Sequence, residues 1–244
     1  MPEQPYYRAD LARIHHEGFG FHADAVAPGV LELLGPVLAK GGLVLEIGCG
    51  SGLLTKYLVG AGHRVLATDA SPAMLDLARR YVPGAEGMKL VRLPDDPLPE
   101  ADGIVSVGHP LSYLDSLQQV EASLAAMARA LRPGGVLAFD ICDHEWGEAR
   151  RGQEPRVWSG EDWVLITRTS LPNRSTYRRD MTTFVQIDHE LWRRDDEVHD
   201  NVLVDAKAIP AILDRHGVET EVRVSFGSET LPRGLVAVVA RRPD

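Results

Sequence analysis

An acid and three glycines at fixed spacing are the residues of this chain best suited to hold a ligand. Glu46 closes the apolar run Leu43-Val44-Leu45, and Gly48, Gly50 and Gly52 follow at alternate positions, with Cys49 and Ser51 between them. A helix is expected from Leu53. Glycine has no Cβ and tolerates positive φ, so the turn is tight and a ligand can lie against bare backbone. Free N–H groups at the start of the next helix favour polar or negative groups. Strand, glycine turn and helix together make a nucleotide-type site. A second acid, Asp69, closes the strand-like segment 63–69. An acid about twenty residues after a glycine turn is placed to accept hydrogen bonds from ribose hydroxyls. Next come Ala70, Ser71 suited to a helix N-cap, Pro72 suited to the first helical position, and Met74.

The spacing separates two kinds of nucleotide site. A dinucleotide fingerprint reads Gly-x-Gly-x-x-Gly. Counted from Gly48, its third glycine would fall on Leu53, so a nicotinamide dehydrogenase is disfavoured. The pattern is instead Glu-x-Gly-x-Gly-x-Gly. Joined to Asp69-Ala70-Ser71-Pro72-Ala73-Met74-Leu75, it resembles the first two motifs of the class I S-adenosylmethionine-dependent methyltransferases. The likeness extends through Arg132-Pro133-Gly134-Gly135 and the strand after it, covering residues 30–145.

The resemblance implies S-adenosyl-L-methionine as cofactor and S-adenosyl-L-homocysteine as product. It places Glu46, Gly48, Cys49, Gly50 and Gly52 at the methionine part, Asp69 and Ala70 at the ribose, and Met74 near the adenine. Leu93 and Pro94 after the third strand and Val107 at the end of the fourth complete the expected cofactor contacts. Many family members contact the adenine amino group with an Asp near the end of the third strand. Here Asp95, Asp96 or the backbone around Leu93 takes that place.

In such a site the cofactor brings an activated methyl group, and the protein supplies binding, orientation and electrostatics. In-line alignment can contribute on the order of 7–11 kcal/mol. A base is needed only when the nucleophile arrives protonated. His109, directly after the fourth strand in Val107-Gly108-His109-Pro110, is the candidate base, its alternative role being to shape the pocket wall. Tyr113 either hydrogen-bonds the acceptor or packs on the helix behind it. Asp143 and His144, after the fifth strand beside Asp140 and Cys142, are expected at the acceptor rim. Catechol-type methyltransferases hold magnesium here, but their pattern also needs an acid where this chain has His109, so no metal is expected. His15 and His16 are adjacent. Neighbouring helix positions point about 100° apart, which suits a contact from one of them, taken as His16 to the cofactor, better than a metal pair.

These residues need a scaffold of alternating strands and helices, which implies a parallel sheet with ligands outside the strand C-terminal ends. Strands are expected at 88–93, 102–108 and 136–141, with a helix over 115–131. The fold class is thus α/β: a Rossmann-like parallel sheet with an antiparallel C-terminal hairpin, an N-terminal helical cap and an antiparallel β insertion. The expected units are a cap over 1–40, a cofactor-binding core over 41–145, an insertion over 146–205 and a completion of the core sheet over 206–244. The insertion reads as three β segments, 158–169, 175–188 and 191–204, with Met181, Thr183 and Val185 alternating against Thr182, Phe184 and Gln186. Small-molecule methyltransferases acting on amines of sugars or amino acids carry a similar cover over the substrate. The competing role is a dimerisation sheet, which would make the protein a homodimer.

Composition narrows the partners. A chain of 244 residues with 44% hydrophobic content suits one α/β domain with additions. A net charge of −9 disfavours nonspecific nucleic-acid binding, which needs phosphate-neutralising cations. Two cysteines, Cys49 and Cys142, make no disulfide framework and fit a reducing cytoplasm. No apolar stretch approaches a membrane span, and the N-terminus lacks a signal-peptide core. The expectation is methyl transfer to an O or N nucleophile of a small molecule, with no nucleic-acid or membrane partner. Its rival is a catalytically silent S-adenosylmethionine-binding domain with a regulatory or partner role.

Overall fold

The computed structural model describes residues 6–244; the first five residues of the expected cap lie outside the described residues. The chain runs α1 (Ala9–Gly18), α2 (Phe21–Leu33), α3 (Gly35–Ala39), β1 (Leu43–Ile47), α4 (Thr55–Gly60), β2 (Arg64–Asp69), α5 (Pro72–Tyr81), β3 (Gly87–Leu90) and β4 (Ala101–Ser106). It continues with α6 (Leu117–Ala130), β5 (Leu131–Cys142), α7 (His144–Glu148), β6 (Arg156–Ser159), β7 (Trp163–Asn173), β8 (Thr176–Gln186), β9 (Trp192–Val202), α8 (Ile209–Asp214), β10 (Glu219–Arg223) and β11 (Leu235–Arg241).

Seven strands form the main sheet in the order β10-β11-β5-β4-β1-β2-β3. β1 to β5 pair in parallel, and β11 enters antiparallel between β5 and β10. Central strands covered on both faces read as unbroken apolar runs, and Val136–Ile141 is such a run, interrupted only by Asp140. Alternate residues of β1 feed opposite layers. Val44 packs with Val30, Leu34, Leu58 and Leu75 of α2, α4 and α5 and their flanks, whereas Leu45 packs with Leu124, Met127 and Leu213 of α6 and α8. The core is therefore a helix–sheet–helix sandwich whose strand ends carry the loops of interest.

The insertion is a separate antiparallel sheet of four strands, β6-β7-β8-β9, rather than three. The expected first segment is split where the Gly160 N–H bonds back to the Trp163 carbonyl at 2.9 Å. The apolar inner face, with Trp163, Leu165, Met181 and Val185, closes on Leu11 and Ile14 of α1. Ion pairs Arg13–Asp162, Arg8–Asp195 and Arg193–Asp10 fasten the same contact. Glu197 of β9 accepts the backbone N–H groups of Tyr7 and Arg8 at 2.8 and 2.9 Å. Cap and insertion thus form one roof over the C-terminal ends of the main sheet.

Within the cap the helices break between α2 and α3 at Leu34, just before Gly35-Pro36. Two boundaries beside the site differ from the sequence expectation. The third strand ends at Leu90, because the Arg92 N–H is captured by Asp96 Oδ2 at 2.7 Å. The helix after the glycine turn begins at Thr55, since Gly52 at φ +86° keeps residues 51–54 in turns.

Candidate cofactor and acceptor site

The strand ends, the glycine turn and the roof enclose a cavity of about 460 Å3. At one end lies the turn after β1. Gly48 is at φ +69°, and a Cβ there would stand 2.4 Å from the Pro110 ring, so only glycine permits the loop after β4 to lie across this turn. Asp69, at the end of β2, accepts the Gly50 N–H on Oδ2 and the Ser71 N–H on Oδ1, each at 2.8 Å. Each oxygen keeps a further lone pair for a ligand. Burial raises the Asp69 pKa, and these two N–H groups oppose the rise.

Glu46 is 2% exposed, lines the cavity, and its Oε2 has no hydrogen-bond partner. Burial pushes its carboxyl up to about 8; the nearby Thr55 hydroxyl works against this and the Asp69 charge with it. A buried carboxylate left unsatisfied is costly, so the site asks for a donor or a cation here. Ala70, Met74, Leu93 and Val107 line the same cavity, with the Met74 thioether facing the glycine turn 3.9 Å from a Cβ built on Gly50. An ammonium for Glu46, a diol for Asp69 and a flat apolar group beside Met74 and Leu93 are what this half of the cavity fits.

The other half is aromatic. Tyr6, Tyr7 and Phe19 from the cap meet Tyr113 from the loop after β4. The Tyr7 and Tyr113 hydroxyls are 2.7 Å apart, and Arg179 of β8 donates to the Tyr113 hydroxyl. Between the halves stands His22, whose Nε2 is 2.7 Å from Asp140 Oδ2. Asp140 is fully buried and also accepts the N–H groups of Gly108 and His109. Burial opposes charging of His22, but its hydrogen bond to Asp140 and the charge behind it outweigh this, and the imidazole pKa is raised.

Comparison with known proteins agrees with this geometry. A family model described as a methyltransferase domain matches residues 44–135. A malonyl-[acyl-carrier protein] O-methyltransferase of Methylococcus capsulatus is 29% identical over 205 residues, covering 82% of this chain and 71% of its own. Several other curated relatives are matched over about half of their own length. Among solved structures, a sugar N-methyltransferase from Streptoalloteichus superposes with TM-score 0.79 at 22% identity, over 100% of this chain and 97% of its own. An amino pentose methyltransferase from Micromonospora echinaspora, solved with S-adenosylmethionine bound, superposes with TM-score 0.73 at 21% identity, over 99% of this chain and 100% of its own. Residues 44–135 match a methyltransferase domain, and the chain has the fold of S-adenosylmethionine-dependent methyltransferases.

Glu46, Gly48, Cys49, Gly50, Asp69, Ala70, Met74, Leu93, Val107 and Tyr113, all expected site residues, line this one cavity. Six expected site residues lie off it. Gly52 packs its Cα under Val82, where a Cβ would come within 2.8 Å, and so seats α5 against the turn. Pro94 is carried away with Asp95 and Asp96, because the loop closes on itself through paired Arg92–Asp96 bonds of 2.7 and 2.9 Å. His16 bonds Ser51 at 2.9 Å, stacks on Tyr81 and lines a neighbouring cleft; it is His15, one residue earlier, that reaches the cavity.

Asp143 is spent as the N-cap of α7, accepting the Glu145 N–H at 2.7 Å, and His144 is exposed with Nδ1 toward the Arg174 carbonyl. His109 takes a left-handed backbone at φ +52°, and its ring packs on Tyr113 and Trp146 while Gly108 and Pro110 form the wall. Burial, then the Arg179 charge, depress its pKa to about 3, leaving a weak base.

Sequence reasoning passed over His22 and Arg179, and took Asp140 only as one of the polar group after the fifth strand. Two of the three carried a further signal. Asp140 is the single charge within an apolar central-strand run, and Arg179 falls on the inward face of a strand that alternates apolar with polar. His22 carried none, since its partner is 118 residues away.

Proposed function

We propose that this protein moves the methyl group of S-adenosylmethionine onto an oxygen or nitrogen of a small-molecule acceptor. One observation carries the reading: a single cavity joins the glycine-turn half, with an unsatisfied acid at Glu46 and a diol-binding acid at Asp69, to an aromatic half built by cap and loop. When bound, the cofactor supplies a methyl already activated on a sulfonium. Glu46 holds an ammonium, Asp69 the ribose hydroxyls, and Met74 and Leu93 the faces of the adenine. Tyr6, Tyr7, Phe19 and Tyr113 orient the acceptor, and the segment 146–205, through the roof it forms with α1, excludes water from it.

His22, backed by Asp140, takes the proton that an alcohol or ammonium acceptor must give up, and His109 shapes the wall behind Tyr113. The assignment rests on His22 lining the cavity with Asp140 at its Nε2, a partner that raises the imidazole's affinity for a proton. The structural relatives act on sugars, one on an amino pentose, and the curated relative is an O-methyltransferase; both atom types suit such a base. The free, buried thiols of Cys49 and Cys142 accord with a cytoplasmic setting. Among the described residues no helix is long and apolar enough to cross a membrane.

Calorimetric titration with S-adenosylmethionine, with nicotinamide dinucleotide as control, tests the cofactor half. Saturable binding of the first and none of the second is expected. Asp69→Ala removes a charge-assisted contact and is expected to weaken binding about 10- to 100-fold. Preference for the dinucleotide, or equal affinity in the variant, would overturn the assignment. Methyl transfer to an acceptor found by screening separates the enzyme from a silent binding domain.

A further inference from the structure

Arg179 is used by neither the cofactor half of the cavity nor the His22–Asp140 pair. It lies on β8 in the row Tyr177, Arg179, Met181, Thr183, Val185, whose other members are all buried. A side chain that is always charged thus sits in the inward face of the insertion sheet. One terminal nitrogen donates to the Tyr113 hydroxyl, and Nε is buried with no partner. Four other arginines of cap and insertion are paired with carboxylates: Arg8 with Asp195, Arg13 with Asp162, Arg178 with Asp200 and Arg193 with Asp10. Among the described residues no carboxylate pairs with Arg179. Nor does Tyr113 neutralise it, because burial pushes that phenol well above its ordinary range and keeps its proton on. A buried charge without a counter-charge is expensive and is retained where something else supplies the partner.

We propose that Arg179 anchors a carboxylate group of the methyl acceptor, with the Tyr7 and Tyr113 hydroxyls completing the cradle. This rests on the reading of the cavity as a methyl-transfer chamber. The planar guanidinium fork matches a carboxylate in two parallel hydrogen bonds, and the orphaned Nε is one half of such a fork. The source is the acceptor and not the amino-acid end of the cofactor. Arg179 acts electrostatically on His15, His109, His199 and Cys142, which belong to the cap, the post-β4 loop, the insertion and the end of β5. Its hydrogen bond goes to Tyr113 in the aromatic half, whereas Glu46 and Asp69 stand at the strand ends beside the glycine turn. The cofactor's carboxylate shares a carbon with the ammonium assigned to Glu46, so a cation serving it would stand beside Glu46.

A carboxylate also fits better than a phosphate. The other arginine near Tyr113, Arg150, is spent over the Trp146 ring and on the carbonyls of Trp146 and Arg233, so among the described residues Arg179 is the single free cation behind Tyr113. Arg92, which lines the same cavity, comes from the loop after β3 beside Leu93. A carboxylate held this way has its lone pairs engaged. It orients the acceptor while a different oxygen or nitrogen receives the methyl group.

The test uses the full chain saturated with S-adenosylhomocysteine and titrated calorimetrically with benzoate, benzamide and phenyl phosphate, probes that suit the aromatic wall. Benzoate is expected to bind saturably and benzamide at least about tenfold more weakly. Arg179→Met is expected to erase that preference and Arg179→Lys to restore part of it, both with S-adenosylhomocysteine affinity within about twofold of the parent. Equal binding of benzoate and benzamide, or tighter binding of phenyl phosphate, would overturn the carboxylate anchor alone. Loss of S-adenosylhomocysteine affinity in Arg179→Met would hand the guanidinium to the cofactor. A parent protein that fails to bind S-adenosylhomocysteine would remove the methyltransferase reading itself.

Discussion

Replacing Glu46 with Gln is expected to make the free protein more stable and the cofactor complex weaker. The carboxyl has an ordinary pKa of 4.5 and is pushed by burial to about 8 in the folded chain. A raised folded-state pKa means that folding favours the proton. The contribution to stability is full below pH 4.5, falls as pH rises, and is lost by about pH 8. At pH 7 the unfolded chain gains from ionising a group that the folded chain holds protonated. Two and a half pH units at 1.36 kcal/mol each make this roughly 3 kcal/mol. Glu46→Gln cannot ionise in either state, so its unfolding free energy should exceed the parent's by about that amount at pH 7, and the gap should close near pH 4.5.

Binding runs the other way. An ammonium placed at Oε2 draws the proton off, so the parent should release close to one proton per cofactor bound at pH 7, seen as a calorimetric enthalpy that depends on the buffer's ionisation heat. In Glu46→Gln the release disappears, and the lost charge-assisted contact weakens binding by about 1.5–3 kcal/mol, roughly 10- to 150-fold. Buffer-independent enthalpy in the parent, with undiminished affinity in the variant, would refute the placement of an ammonium at Glu46.

The His22–Asp140 pair predicts a pH–rate profile. A base works deprotonated, so turnover should rise as pH passes through the raised His22 pKa, and Asp140→Asn should move that limb to lower pH. His22→Asn should lower kcat about 10²- to 10⁴-fold with S-adenosylhomocysteine affinity held; weakened affinity with normal turnover would assign His22 to the cofactor instead. His109→Asn should leave the limb where it is, since that imidazole is already neutral across the working range, and a shifted limb would restore His109 as the base. Gly48→Ala forces a Cβ against Pro110 at a left-handed φ and should destabilise the fold by about 1–3 kcal/mol or more, read as a lowered Tm; an unchanged Tm would mean that the post-β4 loop does not rest on the turn.

The sequence alone determined what local rules govern. Strand β1 and its glycine turn, the acid at the end of β2, the Ser71 cap bonding the Met74 N–H at 3.3 Å, and the stop of α6 before Pro133 are set by residues within a few positions of one another. Backbone sterics, capping and apolar periodicity therefore showed them directly, while the expected cofactor contacts from Glu46 to Leu93 came from the resemblance those motifs carry. Contacts between residues far apart along the chain were left to the tertiary structure.

Which of two adjacent histidines faces the cavity depends on how α1 is clamped between the main sheet and the insertion, by pairs such as Arg13–Asp162 that lie 149 residues apart. Whether His109 serves as a base is decided by its burial and by the charge of Arg179 on another sheet. Asp143 looked like a rim residue because sequence cannot show that its carboxylate is already engaged at a helix N-terminus. Order and spacing placed the residues proposed for the cofactor at one turn and neighbouring strand ends. The aromatic half of the cavity is assembled from the cap and the loop after β4, with β8 behind them, and its electrostatics exist only once those segments meet.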